Sequence, residues 1–290
     1  REEDLQTYWN RAALRTDPFP ERFTDIAAWI DPDGPAPARA ALDIALHDYV
    51  SRKLELPLHA ALGLPEPGRK ASSYTISVDT PENMAAEARR LRKLPIIKLK
   101  LAGDEEDIPR LQAVRAARPD ARLFADANAG WSLSQALEYL PYLEKAELEM
   151  LEQPLGVAEI EGLGEVQART SIAIVADESL QKPEDLRHLA EAGVRGVNIK
   201  LMKVGGVGPA LELMEEARKA GMKIMLGCMI ETSIGLSAAA HLAGLADWLD
   251  LDASLLVAND PFKGMTFGED AVIGLPEGPG IGAHLRKPQS

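Results

Sequence analysis

The chain has 290 residues, with 45 acidic against 32 basic side chains and a formal net charge of −13 at pH 7. This acidity argues against nucleic-acid binding, because phosphates are met by clustered Lys and Arg side chains. No apolar run approaches the roughly 20 residues of a membrane helix, so we expect no membrane partner. The single cysteine, Cys228, excludes an internal disulfide, and the first residues are unlike a secretory signal, which together favour a cytoplasmic protein.

Residues 1–68 predict two or three helices, the clearest at 36–54, followed by a Pro- and Gly-rich linker at 62–68. From about residue 72, short β-branched runs alternate with amphipathic helical runs. The predicted strands are 73–78, 95–100, 121–126, 148–152, 171–177, 196–200, 223–227 and 246–250. The predicted helices between them include 81–92, 105–117, 133–143 and 208–220, and the first of these begins with Thr80 as N-cap before Pro81.

The strand ends recur every 22 to 27 residues or so, which is about the length of one βα unit of a barrel. Eight successive units predict parallel strands with right-handed crossovers. The alternative, an open doubly wound sheet, usually has a Gly-rich phosphate turn after its first strand, and no such turn follows Val78. We therefore predict an α/β fold, a TIM-like (β/α)7β barrel at 69–273, with a helical piece at 1–68 and a tail at 274–290 that packs back on it.

Three consecutive strands end in carboxylates, at Asp126, Glu152 and Asp177. One such residue alone would be a helix cap or a solvated side chain as often as a ligand. In a parallel barrel, however, all three lie at the same mouth, where they repel each other unless a cation binds. Three carboxylates are typical ligands of Mg²⁺, with Mn²⁺ as a substitute. Zinc is disfavoured because no His or Cys joins the cluster.

Lysines end the flanking strands. Lys98 and Lys100 are two residues apart and therefore share a face of their strand, whereas Lys200 lies beyond the carboxylates on the other side. We expect a divalent cation and a second ammonium to lower the pKa of such a lysine, which allows it to act as a base near neutral pH. Lys203 is expected to lie outside this set, in a polar loop.

These groups together predict proton abstraction from a carbon next to a carboxylate of a small-molecule substrate. Loss of that proton places a second negative charge on the carboxylate oxygens, and a divalent metal stabilises the resulting enediolate. Lysines on opposite faces of this planar intermediate remove a proton from one side and return one to the other. The predicted reaction is therefore a racemisation or an epimerisation.

The chain resembles the enolase superfamily, in its muconate-lactonising subgroup. The stretches that carry the resemblance are 98–100 (KLK), 126–128 (DAN), 152–154 (EQP), 177–179 (DES) and 198–206 (NIKLMKVGG). Enzymes of this superfamily use a Lys or His base and Mg²⁺ to stabilise an enediolate. The resemblance thus implies a magnesium-dependent barrel enzyme with Lys100 and Lys200 as the catalytic acid/base pair.

Within that subgroup the chain is most similar to the dipeptide epimerases, whose best-known members act on L-Ala-D/L-Glu. Three stretches support this, at 74–75 (YT), 227–232 (GCMIET) and 250–252 (DLD). In that family the Asp-x-Asp pair receives the α-ammonium group of the dipeptide, although a turn-capping role for both aspartates is the alternative. The implied substrate-binding residues are Thr75, Lys98 (for the substrate carboxylate), Met229, Asp250 and Asp252.

By the same resemblance, 1–68 is the helical part of an N-terminal capping domain whose strand portion we expect to be absent. The activity of this form, the dipeptide and the oligomeric state stay open, and a homo-oligomer is compatible with the sequence. A lyase or cycloisomerase of the same superfamily, of the o-succinylbenzoate synthase or muconate cycloisomerase type, is an alternative function. A non-catalytic barrel that binds a small acid is a second alternative.

Overall fold

The computed structural model describes residues 2–286, and its centre is a parallel eight-stranded sheet rolled into a barrel. The strands are β1 (Tyr74–Ile76), β2 (Ile96–Lys100), β3 (Arg122–Asp126), β4 (Leu148–Glu152), β5 (Ala173–Ala176), β6 (Gly196–Lys200), β7 (Lys223–Gly227) and β8 (Trp248–Asp250). They pair in chain order, each parallel to the next. The N–H of Ser73 donates to the carbonyl of Leu249 at 2.8 Å, which joins the β1 side of the sheet to β8. The predicted barrel is confirmed.

Helices cover the outside of the barrel and precede it. They are α1 (Glu2–Ala13), α2 (Ala36–Lys53), α3 (Leu58–Ala61), α4 (Pro81–Arg90), α5 (Asp107–Ala117), α6 (Leu133–Lys145), α7 (Ile160–Gln167), α8 (Pro183–Glu191), α9 (Leu201–Val204), α10 (Val207–Lys219) and α11 (Ser233–Leu242). Thr80 caps α4 as predicted, by accepting a hydrogen bond from the N–H of Asn83 at 3.3 Å. Among the described residues, no helix combines the length and the apolar character needed to cross a membrane.

Alternation along each strand divides the side chains into two sets. One set, which includes Ile97, Leu99 and Leu151, is buried between the sheet and the helices. The other set faces the barrel interior, where Phe124, Met150 and further apolar side chains fill the lower part. Because side chains repeat every two residues along a strand, the residues that follow these on the same face lie at the C-terminal mouth. The polar residues at the strand ends therefore face the barrel interior.

The N-terminal helices and the tail pack against each other. The Asp48 carboxylate of α2 accepts a hydrogen bond from the N–H of Ile281 at 2.7 Å. The N–H of Leu58, at the start of α3, donates to the carbonyl of Gly280 at 2.8 Å. A short antiparallel pair, Phe262–Lys263 with His284–Leu285, holds the end of the tail. Residues 287–290 of the predicted tail lie outside the described residues, and the division of the chain at 68 and 273 stays a prediction.

His241 of α11 is a fully buried imidazole that contacts His59 of α3. The two Nδ1 atoms are 3.0 Å apart, and Nε2 of His241 is buried without a hydrogen-bond partner. Burial, and secondarily the neighbouring His59, lowers the pKa of His241 to about 4. In the unfolded chain the imidazole takes up a proton near pH 6.5, whereas in the folded chain it takes one up only near pH 4. Stability is therefore lost as the pH falls from about 6.5 to about 4.

Replacing His241 by Gln is expected to remove this part of the acid sensitivity. Between pH 7 and pH 4.5, the wild-type free energy of unfolding should fall by about 2–3 kcal/mol more than that of the variant. Urea denaturation at each pH measures the difference. His188→Gln, at an exposed position of α8, is the matched control and should follow the wild type. Parallel pH profiles for wild type and His241→Gln would contradict the assignment.

Candidate active site

A cavity of about 390 Å³ opens at the C-terminal mouth of the barrel. Eight of the ten residues predicted to form the site line it: Thr75, Lys98, Lys100, Asp177, Lys200, Met229, Asp250 and Asp252. The remaining two, Asp126 and Glu152, are fully buried and contact Lys98. The period of two along each strand thus brings all the predicted residues to one end of the barrel.

Lys98 is the centre of a buried ionic network. Its Nζ lies 2.6 Å from Oε2 of Glu152, 2.7 Å from Oδ2 of Asp250 and 3.2 Å from Oδ2 of Asp126. The side chain is only 1% exposed. Burial opposes its charge, but the three carboxylates outweigh burial and raise the pKa of Lys98 well above its usual range. Lys98 therefore carries a permanent positive charge that links β2 to β3, β4 and β8.

Lys100 and Lys200 lie on opposite sides of the carboxylates. Nζ of Lys100 donates to Oδ2 of Asp126 at 2.6 Å, and Nζ of Lys200 donates to Oδ2 of Asp177 at 2.8 Å. Burial opposes the charge of Lys200, but Asp177 and Glu152 outweigh burial and raise its pKa. This direction is opposite to the lowered pKa expected from the sequence, because carboxylates rather than cations are the nearest neighbours of Lys200 in this arrangement.

Lys203 belongs to the site, and the expectation that it lies outside was wrong. Its Nζ donates to the carbonyl of Asp177 at 2.6 Å and also forms an ion pair with Oδ1 of that residue. The reason is local, because α9 begins directly after Lys200. One helical turn returns residue 203 to the side of residue 200. Asp177 is thus held by two ammonium groups, which, against the effect of burial, lower its pKa.

The three predicted metal ligands end adjacent strands but do not converge on one point in this arrangement. Among residues 2–286, no three Asp, Glu, His or Cys side chains are close enough together to hold a metal ion, since lysine ammonium groups lie between the carboxylates. Their chemistry nevertheless fits Mg²⁺, which prefers carboxylate oxygens. Burial, together with Asp126 and Asp177, raises the pKa of Glu152 to about 7 against the effect of Lys98. Its Oε2 is buried against Nζ of Lys98 at 2.6 Å, without a hydrogen bond of good geometry, so a metal ion would compete with Lys98 for this oxygen.

Two amide side chains orient the carboxylates and were not predicted as site residues. Nδ2 of Asn198 donates to Oε1 of Glu152 at 2.7 Å. Oε1 of Gln153 accepts from the N–H groups of Asp177 and Ser179 at 3.0 and 3.1 Å. Asn198 could have been found, because it precedes Lys200 by two residues and so shares its face. Gln153 is fully buried with a positive φ of 36°, and no sequence pattern indicates that geometry.

The eighth strand brings Asp250 and Asp252 to the side of the cavity near β1. Asp250 accepts from Oγ of Ser73 at 2.7 Å and is paired with Lys98. Asp252 accepts from the N–H of Thr75 at 2.8 Å, and among the described residues no lysine forms an ion pair with its carboxylate. Burial and the neighbouring Asp250 raise the pKa of Asp252. Asp252 is therefore better placed than Asp250 to bind an additional cationic group. Met229, which is half exposed, lines the same cavity.

The fold and the site define a parallel α/β barrel with lysines and buried carboxylates paired at its C-terminal mouth. Residues 83–289 match the family model described as enolase C-terminal domain-like, and the chain belongs to this family. The predicted membership of the enolase superfamily is thereby confirmed.

Curated relatives and solved structures agree with this membership. The L-Ala-D/L-amino acid epimerase of Pedosphaera parvula is 39% identical over 79% of this chain and 67% of its own length. The L-Ala-D/L-Glu epimerase of Bacteroides thetaiotaomicron is 36% identical over 92% of this chain and 69% of its own. The dipeptide epimerase of Cytophaga hutchinsonii, solved with Mg and D-Ala-L-Val, superimposes with a TM-score of 0.89 at 30% identity, covering 98% of this chain and 80% of the other. The predicted isomerase class is confirmed by these relatives, and the predicted magnesium cofactor agrees with the Mg bound in the solved structure.

Proposed function

We propose that this chain epimerises a dipeptide at the α-carbon next to its carboxylate, by proton transfer between Lys100 and Lys200. The observation that carries the proposal is the placement of these two lysines on opposite sides of one carboxylate cluster, both lining one cavity. A planar intermediate between them exposes one face to each ammonium group. Such an arrangement supports the removal of a proton from one face and the delivery of a proton to the other.

Asp126, Glu152 and Asp177 would hold the metal ion. Bound magnesium supplies positive charge that stabilises the enediolate of the substrate carboxylate. Asn198 keeps Glu152 oriented, and Gln153 orients the backbone that carries Asp177. Lys98, with its raised pKa, stays charged and offers a second cation to the substrate carboxylate.

Asp252 and Asp250 would receive the α-ammonium group of the dipeptide. They lie across the cavity from the carboxylate cluster, on the side to which a bound zwitterion presents its cationic end. Charge-assisted hydrogen bonds stabilise this orientation. The cavity volume of about 390 Å³ falls in the usual range for small-molecule sites. Two relatives, the L-Ala-D/L-Glu epimerase of Bacteroides thetaiotaomicron and the hydrophobic dipeptide epimerase of Enterococcus faecalis, support a dipeptide here as well.

Incubation of mixed L,L-dipeptides with the protein and Mg²⁺ in D₂O tests the proposal. We expect mass spectrometry to detect one α-deuterium in a subset of the dipeptides, and chiral chromatography to detect the corresponding L,D products. Deuterium without the second epimer would indicate a lyase or another enolate chemistry instead. A folded, metal-bound protein that labels none of the dipeptides would contradict the epimerase assignment.

A further inference from the structure

We infer that two buried aspartates outside the cavity, Asp43 and Asp107, position the two acid/base lysines separately, so that each controls proton transfer at one face of the substrate. The inference rests on the proposed function. Neither residue lines the cavity. Asp107 accepts hydrogen bonds from the backbone directly after β2, and Asp43 accepts them from the backbone just beyond the short helix α9 that follows β6. Each is therefore a positioning residue.

Asp107 holds the segment after β2. It is fully buried at the first position of α5. Its Oδ1 accepts from the N–H of Ala102 at 2.8 Å, and its Oδ2 accepts from the N–H of Gly103 at 2.9 Å. These donors are two and three residues beyond Lys100. Nε1 of Trp131 also donates to Oδ2, at 2.8 Å, so the carboxylate is fixed from the β3 side as well.

The segment after Lys100 has little room to move while the Asp107 contact is intact. Gly103 has a φ of +81°, and a Cβ there would lie 2.7 Å from the carbonyl oxygen of Gly130. The turn thus needs glycine for its backbone conformation and for its close approach to the next loop. Loss of the two hydrogen bonds to Asp107 would free the end of β2 and the Lys100 stem together.

Asp43 plays the corresponding part for Lys200, but from α2, outside the barrel. It is 3% exposed, and its Oδ1 accepts from the N–H of Val207 at 2.5 Å and from the N–H of Gly208 at 3.4 Å. The segment it holds is separated from Lys200 only by the single turn of α9 and two glycines. A Cβ on Gly206, where φ is +125°, would lie 2.3 Å from the Asp43 oxygen. Helix α2 therefore lies directly against this turn.

The short path from each aspartate to its lysine makes the coupling direct. Helix α9 is four residues long, or roughly 6 Å at 1.5 Å per residue. It carries Lys203 and begins at the residue after Lys200, so a shift of the turn at Gly206 moves both ammonium groups that hold Asp177. Misplacement of a reacting group by about 1 Å can cost on the order of 100-fold in rate. The two aspartates act on different strands, β2 and β6, so their effects should be separable.

Alanine variants at the two positions test the inference through a ratio of rates. The rates of α-deuterium incorporation into the two epimers of one labelled dipeptide are measured with a single enzyme preparation, so their ratio does not depend on the folded fraction. Lys100→Ala and Lys200→Ala first establish which epimer each lysine serves. We expect Asp107→Ala to change the ratio about tenfold or more in the direction of Lys100→Ala. Asp43→Ala should change it in the direction of Lys200→Ala.

Two further variants and one control distinguish a positioning role from a general loss of structure. Asp43→Asn keeps one acceptor oxygen for Val207 and should return the ratio toward the wild-type value. Val207→Pro removes the donor instead of the acceptor, at a helix position where proline is tolerated, and should shift the ratio as Asp43→Ala does. Glu215→Gln, at an exposed ion pair of α10, should leave both rates unchanged.

The possible failures are distinguishable. If Lys100→Ala and Lys200→Ala shift the ratio in opposite directions while Asp43→Ala and Asp107→Ala leave it at the wild-type value, the positioning role is wrong and the proposed function stands. Shifts of both aspartate variants in the same direction would also overturn the inference. A wild-type protein that exchanges neither epimer would overturn both the inference and the proposed function.

Discussion

Replacement of Lys200 by alanine is expected to slow α-proton exchange in one epimer of the dipeptide by about 10³-fold. The exchange rate of the other epimer should fall by about tenfold or less. A positioned general base contributes on the order of 10²–10⁴-fold, and Lys200 serves only one face of the intermediate in this account. The variant should fold, because Asp177 keeps its ion pair with Lys203. Proton NMR of each epimer in D₂O measures the two exchange rates.

Lys100→Ala is the reciprocal variant and should show the opposite selectivity. Lys100 is about one-third exposed and pairs with Asp126, which also contacts Lys98, so its removal does not leave that carboxylate without a cation. The contrast between the two variants is more informative than either loss of activity alone. Equal loss of exchange in both epimers, in either variant, would mean that the lysines do not divide the two faces between them.

Replacement of Glu152 by glutamine is expected to remove most of the response to magnesium. In the wild type, millimolar Mg²⁺ should raise the melting temperature, because an ion that binds only the folded state stabilises it. Glutamine preserves the shape of the side chain and an acceptor for Asn198 but removes the charge. We expect the affinity for Mg²⁺ to fall by about 100-fold or more, since even loss of an outer partner of a metal ligand costs about 10–100-fold.

Glu149→Gln provides the control for this loss. Glu149 lies near the opposite end of the same strand, where it pairs with Arg122 and accepts from Trp248. Its variant should bind Mg²⁺ as the wild type does, whatever the cost in stability. Calorimetric titration with Mg²⁺ at pH 8 reports both affinities. An unchanged affinity in Glu152→Gln would remove Glu152 from the metal site, and with it the assignment of all three carboxylates.

Sequence periodicity was sufficient to predict the barrel and the residues at its mouth. Every predicted strand overlaps an observed one, because alternation and strand spacing are local signals that the βα repeat preserves. The errors lie at the strand ends. The first strand was predicted at 73–78 and is observed at Tyr74–Ile76. Ladder pairing with the neighbouring strand, which decides where a strand ends, cannot be read from the strand itself.

The contacts between the site residues were harder to predict than which residues form the site. The prediction for Lys203 was wrong because a helical turn, and not a loop, directly follows β6 and brings Lys203 to Asp177. The raised pKa of Lys200 depends on which charges come nearest, a property of the folded arrangement. Asp43 and Asp107 look like ordinary helix residues in the sequence. Their backbone partners lie 164 positions away in one case and five in the other, and only the fold joins the more distant pair.

Proton NMR on one dipeptide in D₂O is the sharpest test of metal-dependent proton transfer at two faces next to a carboxylate. With Mg²⁺, we expect the α-proton of the C-terminal residue to disappear from both epimers while the α-proton of the N-terminal residue persists. We also expect EDTA to stop this exchange and added Mg²⁺ to restore it. Exchange that continues in EDTA, or exchange at the N-terminal residue instead, would rule out this mechanism.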